Sequence, residues 1–76
     1  MPKIEVIYAF ISIDEGPDDE GIVAALVGDR WLPLVGADMD RVESLRPLAM
    51  GVACATEKRI VLARFGDRED LEELKP

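Results

Sequence analysis

Residues 3–14, Lys-Ile-Glu-Val-Ile-Tyr-Ala-Phe-Ile-Ser-Ile-Asp, are the stretch of sequence that decides the fold. The stretch is rich in β-branched and aromatic residues and contains neither glycine nor proline, which is typical of a β-strand. Alternate residues of a strand point to opposite faces of the sheet, and both sets are largely apolar here. A strand that is apolar on both faces belongs in the interior of a sheet. The stretch therefore predicts a central strand.

Two further apolar runs follow this strand. Residues 15–21 are rich in glycine, proline and aspartate and predict an exposed turn. Residues 22–27 then predict a second strand that folds back antiparallel on the first, and a tight connection at 28–30 leads into a third strand at 31–35. Pro33 has no N–H to donate to a neighbouring strand, so the third strand is expected at an edge. The three runs together predict a meander.

The middle of the chain predicts a helix. From Val42 onward apolar residues recur at the spacing of one helical face, and Asp38 or Asp40 can cap the start. Pro47 interrupts the pattern. Either the helix kinks there, or Ser44 caps a new helix with Pro47 in its first turn, where a missing N–H costs little. We favour the second arrangement, preceded by a short helical turn. The predicted inner face of the helix carries Val42, Leu45, Ala49, Val52 and Ala53.

The remainder of the chain completes the predicted fold. Residues 59–65 predict a fourth strand, and a right-handed crossover through the helix would place it parallel to the first strand and beside it. Asp67 can cap a final helical segment over residues 68–74. The sequence thus predicts a single α+β domain with a small mixed sheet, in the order β-β-β-α-β with a short C-terminal helical segment and strand order 3-2-1-4. The core positions that it predicts are Phe10, Ile11, Leu26, Val52 and Leu62.

Composition narrows the class of protein. The 76 residues suffice for one domain, residues 1–76, and 49% of them are hydrophobic, which is typical of a folded chain. Sixteen acidic residues against nine basic ones give a net charge of −7, which disfavours binding to nucleic acid or to an anionic membrane surface. No apolar run is long enough to span a bilayer, and the N-terminus lacks the pattern of a signal peptide. We therefore expect a cytoplasmic protein.

No group of polar residues forms a recognisable catalytic or metal site. The chain has no histidine, and the acidic residues at 14–20 lack the spacing of a calcium loop, so we expect an exposed turn without a tightly bound metal. Capping and the helix dipole explain Asp38, Asp40 and Glu43 better than acid-base catalysis does. Cys54 lies toward the C-terminal half of the helix, the wrong end for stabilising a thiolate, which favours a structural thiol. The sequence predicts no enzyme, no catalytic, metal or cofactor-binding residues and no cofactor.

The apolar residues point instead to self-association. One helix can cover only one face of a sheet that is apolar on both faces, so we expect a second copy of the chain to cover the other face. Pro47, Met50 and Cys54 fall on the outer side of the helix, where a monomer would carry charged residues. Trp31 is expected in or near the core, although tryptophan is also enriched at interface hot spots. The predicted interface residues are Met50, Cys54, Pro47 and Trp31, and Met50→Glu should dissociate the assembly if the helix forms the contact.

Three functions are compatible with these features. The leading hypothesis is a non-enzymatic interaction or regulatory module, otherwise of unknown function, that forms a homodimer or larger assembly. The net charge suggests an alternative, an acidic inhibitor or antitoxin-like protein that covers a basic surface of a partner protein. The third hypothesis is a small-ligand-binding protein or accessory enzyme subunit with a pocket near Trp31 and Tyr8.

Overall fold

The chain folds as a small α+β domain, which confirms the predicted fold class. The computed structural model describes residues 3–14, 16 and 18–75. Within these residues the elements follow in the order β1 (Ile7–Ile13), β2 (Glu20–Ile22), β3 (Ala24–Val27), β4 (Arg30–Pro33), β5 (Val35–Gly36), α1 (Met39–Thr56) and β6 (Arg59–Phe65).

Strand β1 lies at the centre of the main sheet, as its two apolar faces predict. On one edge it pairs antiparallel with β6 over its whole length, from Ile7 opposite Phe65 to Ile13 opposite Arg59. The other edge is shared by two short strands: β2 pairs with the C-terminal part of β1 and β5 with the N-terminal part, both antiparallel. The structure therefore has a central strand with partners on both sides.

The β3–β4 hairpin interrupts the strand that runs along the second edge of β1. The interruption occurs at Phe10, whose N–H donates to the Leu34 carbonyl (3.1 Å) and whose carbonyl accepts from the Val23 N–H (2.9 Å). A third hydrogen bond, from the Leu34 N–H to the Val23 carbonyl (2.9 Å), closes the base of the hairpin. The hairpin turns at Gly28, whose positive φ of 64° suits the first central position of a type II′ turn. Residues 20–22 and 35–36 thus act as one strand with an inserted hairpin.

This insertion corrects the predicted strand order and direction. The predicted order 3-2-1-4 treats residues 22–27 and 31–35 as two full strands of one sheet. With that number of strands the fourth strand is expected to run parallel to the first. In the structure the hairpin leaves and rejoins the same edge of β1, so β2 and β5 run in the same direction. The crossover through α1 then places β6 parallel to β5 and antiparallel to β1. Strand β6 is beside β1 as predicted, but the sheet is antiparallel.

Helix α1 is one continuous helix, not a short turn followed by a second helix. Asp38 caps it, with a side-chain oxygen (Oδ1) that accepts from the Arg41 N–H at 2.9 Å, whereas Ser44 lies inside the helix and donates to the Arg41 carbonyl. Pro47 is exposed and within the helix, so the predicted cap at Ser44 is wrong. The helix persists across Pro47 because buried residues on both sides of it, Leu45 and Ala49, hold the two halves against the sheet.

The core lies between α1, the helix-facing side of β1 and the inner face of the hairpin. The buried residues that form it are Phe10, Val23, Ala25, Leu34, Val42, Leu45 and Ala49. Phe10 and Ile11 are buried as predicted, and Val52 is partly buried against this cluster. The prediction is wrong for Leu26, which is 58% exposed, and for Leu62, which is 37% exposed. Leu26 points away from the core while its neighbour Ala25 points into it, and Leu62 lies on the edge strand β6.

The C-terminal residues 66–75 form no helix, contrary to the predicted final helical segment. Asp67 has a left-handed φ of 58°, and Arg68 instead holds the segment to the N-terminal part of the chain through a bond to the Ile4 carbonyl (3.1 Å). Leu71 and Leu74 are 85% and 84% exposed, so no burial supports a helix that is too short to be stable alone. No helix among the described residues combines the length and hydropathy needed to cross a membrane.

Candidate interaction surfaces

The largest apolar surface lies on the side of the main sheet that α1 does not cover. Residues directly opposite each other on paired strands share a face, and Phe10 marks the face that meets the helix. The opposite face carries every second residue of β1 and the residues paired with them. We call it the helix-free face, and its apolar members are Ile7, Ala9, Ile11, Ile13, Ile22, Val35, Val61, Ala63 and Phe65.

The helix-free face is exposed at its margins and uncharged over most of its area. Ala9 and Ile11 at its centre are buried, whereas Ile7, Ile22 and Phe65 are 44%, 58% and 53% exposed. Its strands carry two charged residues, Glu20 and Arg59, which flank Ile13 at one end. At the other end Ile7 lines a surface cleft together with charged residues of the C-terminal segment, among them Arg68 and Glu69. A face with apolar residues on three adjacent strands has the composition of a buried sheet surface.

A second apolar surface lies on the outer side of the hairpin. Leu26 is paired with Trp31 and Ala24 with Pro33, and the alternate pair, Ala25 and Leu32, packs into the core. Trp31 is 69% exposed, so the expectation that it lies in or near the core is wrong. We call these four residues, Ala24, Leu26, Trp31 and Pro33, the hairpin face. It borders the helix-free face, because alternation along the chain places Ala24 after Ile22 and Pro33 before Val35.

A third surface, the helix patch, is formed by Pro47, Met50, Gly51 and Cys54 on the outer side of α1. All four residues are exposed, and Met50 is 59% exposed. The structure thus separates the four predicted interface residues into two groups. Pro47, Met50 and Cys54 lie on the helix patch, whereas Trp31 lies on the hairpin face.

Of the three acidic residues that were weighed as catalytic groups, Asp38 and Glu43 have structural partners, and Asp40 lies in the first turn of α1. Asp38 caps α1, as its position predicts. Glu43 accepts two hydrogen bonds from Arg46, at 3.1 and 3.0 Å, and these bonds together with the positive charge of Arg46 lower the pKa of the Glu43 carboxyl. The same pair raises the pKa of Arg46. Both side chains are exposed, so the pair orders the helix surface and creates no enclosed site.

The predicted turn at 15–21 is only partly within the described residues, because Glu15 and Pro17 lie outside them. Residues 18–21 are exposed as predicted, but Glu20 and Gly21 belong to strand β2 and not to the turn. Asp14, just before the turn, pairs with Lys58 at 2.9 Å and so joins the end of β1 to the start of β6. Among the described residues no group of three or more acidic or cysteine side chains is arranged to hold a metal ion.

The structure does not bring Tyr8 and Trp31 together. Tyr8 packs against the core on the helix side of β1, and Trp31 points outward on the hairpin face. Geometry therefore offers no support for the predicted ligand pocket between these two aromatic residues.

Comparison with known proteins gives no further indication of function. No protein-family model matches the chain, and no curated protein or solved structure matches it either.

Sequence reasoning missed two prominent residues of the helix-free face, Ile22 and Phe65. Ile22 belongs to a continuous apolar run, so alternation could not assign it to a face, and Phe65 is the last residue of its strand. The pairing register with β1 places both of them: Ile22 lies opposite Ile11 and Phe65 opposite Ile7.

Proposed function

We propose that this protein is a non-enzymatic interaction module that works as a homodimer or larger assembly. The observation that carries the proposal is the helix-free face, a largely apolar surface on three adjacent strands that one helix cannot cover from the other side of the sheet. Small domains bury a limited share of their surface, and association with a second subunit is a common way to bury more. Twofold assembly of identical chains is the commonest solution.

Light scattering at micromolar protein concentration tests the proposal. We expect a mass near twice the 8.4 kDa of one chain, or a higher multiple of it. The measurement is repeated over a hundredfold range of concentration, because a weak assembly loses mass on dilution whereas a monomer keeps a constant mass. A mass of 8.4 kDa at the highest concentration contradicts the proposal.

A further inference from the structure

The helix-free face and the helix patch are alternative contact surfaces, and the structure distinguishes between them. We propose that a second copy of this chain packs on the helix-free face, sheet against sheet, with the hairpin face at the flank of the contact and the helix patch left outside. This inference rests on the proposed function and specifies the surface through which it operates.

The exposed apolar area favours the sheet side. With roughly 150 to 250 Å² for a free aromatic side chain and somewhat less for an aliphatic one, the exposed parts of the helix-free face amount to roughly 400 Å². Leu26 and Trp31 on the hairpin face add roughly 250 Å² more on the same basis. The total approaches the about 800 Å² that each partner contributes to a standard stable interface. The helix patch offers one large exposed apolar side chain, Met50.

The distribution of charge favours a second copy over a basic partner. The chain carries a net charge of −7, and none of the described charged residues is buried. A basic protein is attracted to exposed carboxylates, and the strands of the helix-free face present only Glu20 and Arg59, at one end, although charged C-terminal residues border the face beside Ile7. Two copies can meet through the apolar strands of this face and leave the negative charges that border it at its two ends. A largely apolar face is complementary to itself, as a twofold contact requires.

The two possible contacts place α1 at very different positions. When two sheets pack face to face, their planes lie about 10 Å apart, and each helix lies about 10 Å beyond its own sheet, so the two helices are about 30 Å apart. In a contact through the helix patches the helix axes would lie about 8 to 10 Å apart. Cys54 is the only cysteine in the chain and is exposed on the helix patch, so it is a natural position for a reporter.

A matched set of charged substitutions tests the contact. Ile22→Glu and Phe65→Glu change the helix-free face at two separate positions, and Met50→Glu changes the helix patch. The three side chains are similarly exposed, at 58%, 53% and 59%, and each substitution adds the same charge. We expect the first two to weaken self-association about a hundredfold or more, since each assembly would bury two unpaired carboxylates, and Met50→Glu to leave it within about threefold. Circular dichroism checks that each variant is folded.

A distance measurement provides the second test. A nitroxide label on Cys54 of the wild-type chain reports the separation of the two copies by pulsed dipolar spectroscopy. We expect a label-to-label distance above about 30 Å, as sheet packing requires. A distance below about 20 Å, or loss of the dimer on labelling, shows that the helix patch forms the contact and overturns the inference.

The outcomes separate this inference from the proposed function. If the wild type is a dimer that Met50→Glu dissociates while Ile22→Glu and Phe65→Glu do not, the chain self-associates through the helix patch and not through the helix-free face. The inference is then overturned and the proposed function stands. If the wild type is a monomer at every concentration, the proposed function fails and this inference fails with it. Dissociation by both sheet-side variants, with a long distance between Cys54 labels, supports both.

Discussion

At the scale of single residues, leucines that look alike in the sequence differ widely in how much of the side chain is buried. Leu34 is fully buried at the point where the hairpin rejoins the sheet, whereas Leu71 in the C-terminal segment is 85% exposed. We expect Leu34→Ala to lower the free energy of unfolding by about 2 to 5 kcal/mol, because it removes apolar burial and leaves a cavity. Leu71→Ala is the matched control and should stay within about 0.5 kcal/mol of the wild type. Urea unfolding at one fixed protein concentration measures both, and equal midpoints for the two variants would show that Leu34 is not a core residue.

The Glu43–Arg46 pair predicts a pH dependence at the same scale. Arg46 lowers the pKa of the Glu43 carboxyl below its ordinary value of 4.5, so the pair stabilises the folded state at neutral pH and that contribution is lost as the pH falls through the Glu43 pKa. Solvent screens an exposed pair, so we expect a small effect that high salt reduces. An NMR titration of the Glu43 carboxyl should give a pKa below 4.5 in the wild type and a higher one in Arg46→Gln. An equal Glu43 pKa in both proteins refutes the interaction.

At the scale of elements, the residue that caps the C-terminal end of α1 is not the most stable choice for its backbone conformation. The helix ends at Thr56 and is capped by Glu57, which adopts a left-handed conformation with φ of 57° and donates its N–H to the Ala53 carbonyl at 2.8 Å. Glycine adopts this conformation without strain, so we expect Glu57→Gly to be more stable than Glu57→Ala by about 1 kcal/mol. Both variants remove the same charge, so their difference in unfolding free energy isolates the backbone conformation. A Glu57→Ala variant as stable as Glu57→Gly would contradict the left-handed assignment.

The elements also show what pattern reasoning can and cannot predict. The apolar residues on both faces of residues 3–14 predicted the central strand, and the helical spacing from Val42 predicted the inner face of α1, because both patterns depend on local geometry. The direction of β6 depends on whether the hairpin continues a meander or is inserted into one strand. That distinction lies in the hydrogen bonds at Phe10, which join residues far apart in the chain. Local patterns carry no information about such bonds.

At the scale of the whole molecule, the prediction of an uncovered sheet face followed from counting the elements. One helix was available for a sheet with two apolar faces, and the structure has this arrangement. The members of the adjoining hairpin face were harder to predict, because Trp31 and Leu26 lie in short apolar runs where alternation is ambiguous. Their outward orientation depends on the inner pair, Ala25 and Leu32, packing against the helix side. Only the three-dimensional packing determines which side of the hairpin is buried.

The charge of the whole molecule provides a final test of how it associates. Two copies with a net charge of −7 repel each other at long range, and a contact through the helix-free face contains few charges to offset this repulsion. Salt screens the repulsion and leaves apolar burial intact, so raising sodium chloride from about 50 to about 500 mM should strengthen self-association roughly threefold or more. Sulfate at equal ionic strength should strengthen it further, because it favours the burial of apolar surface. Sedimentation equilibrium measures the dissociation constant in each buffer. A complex between this acidic chain and a basic partner would show the opposite trend, so self-association that weakens with salt would indicate that ion pairs, and not the helix-free face, hold the copies together.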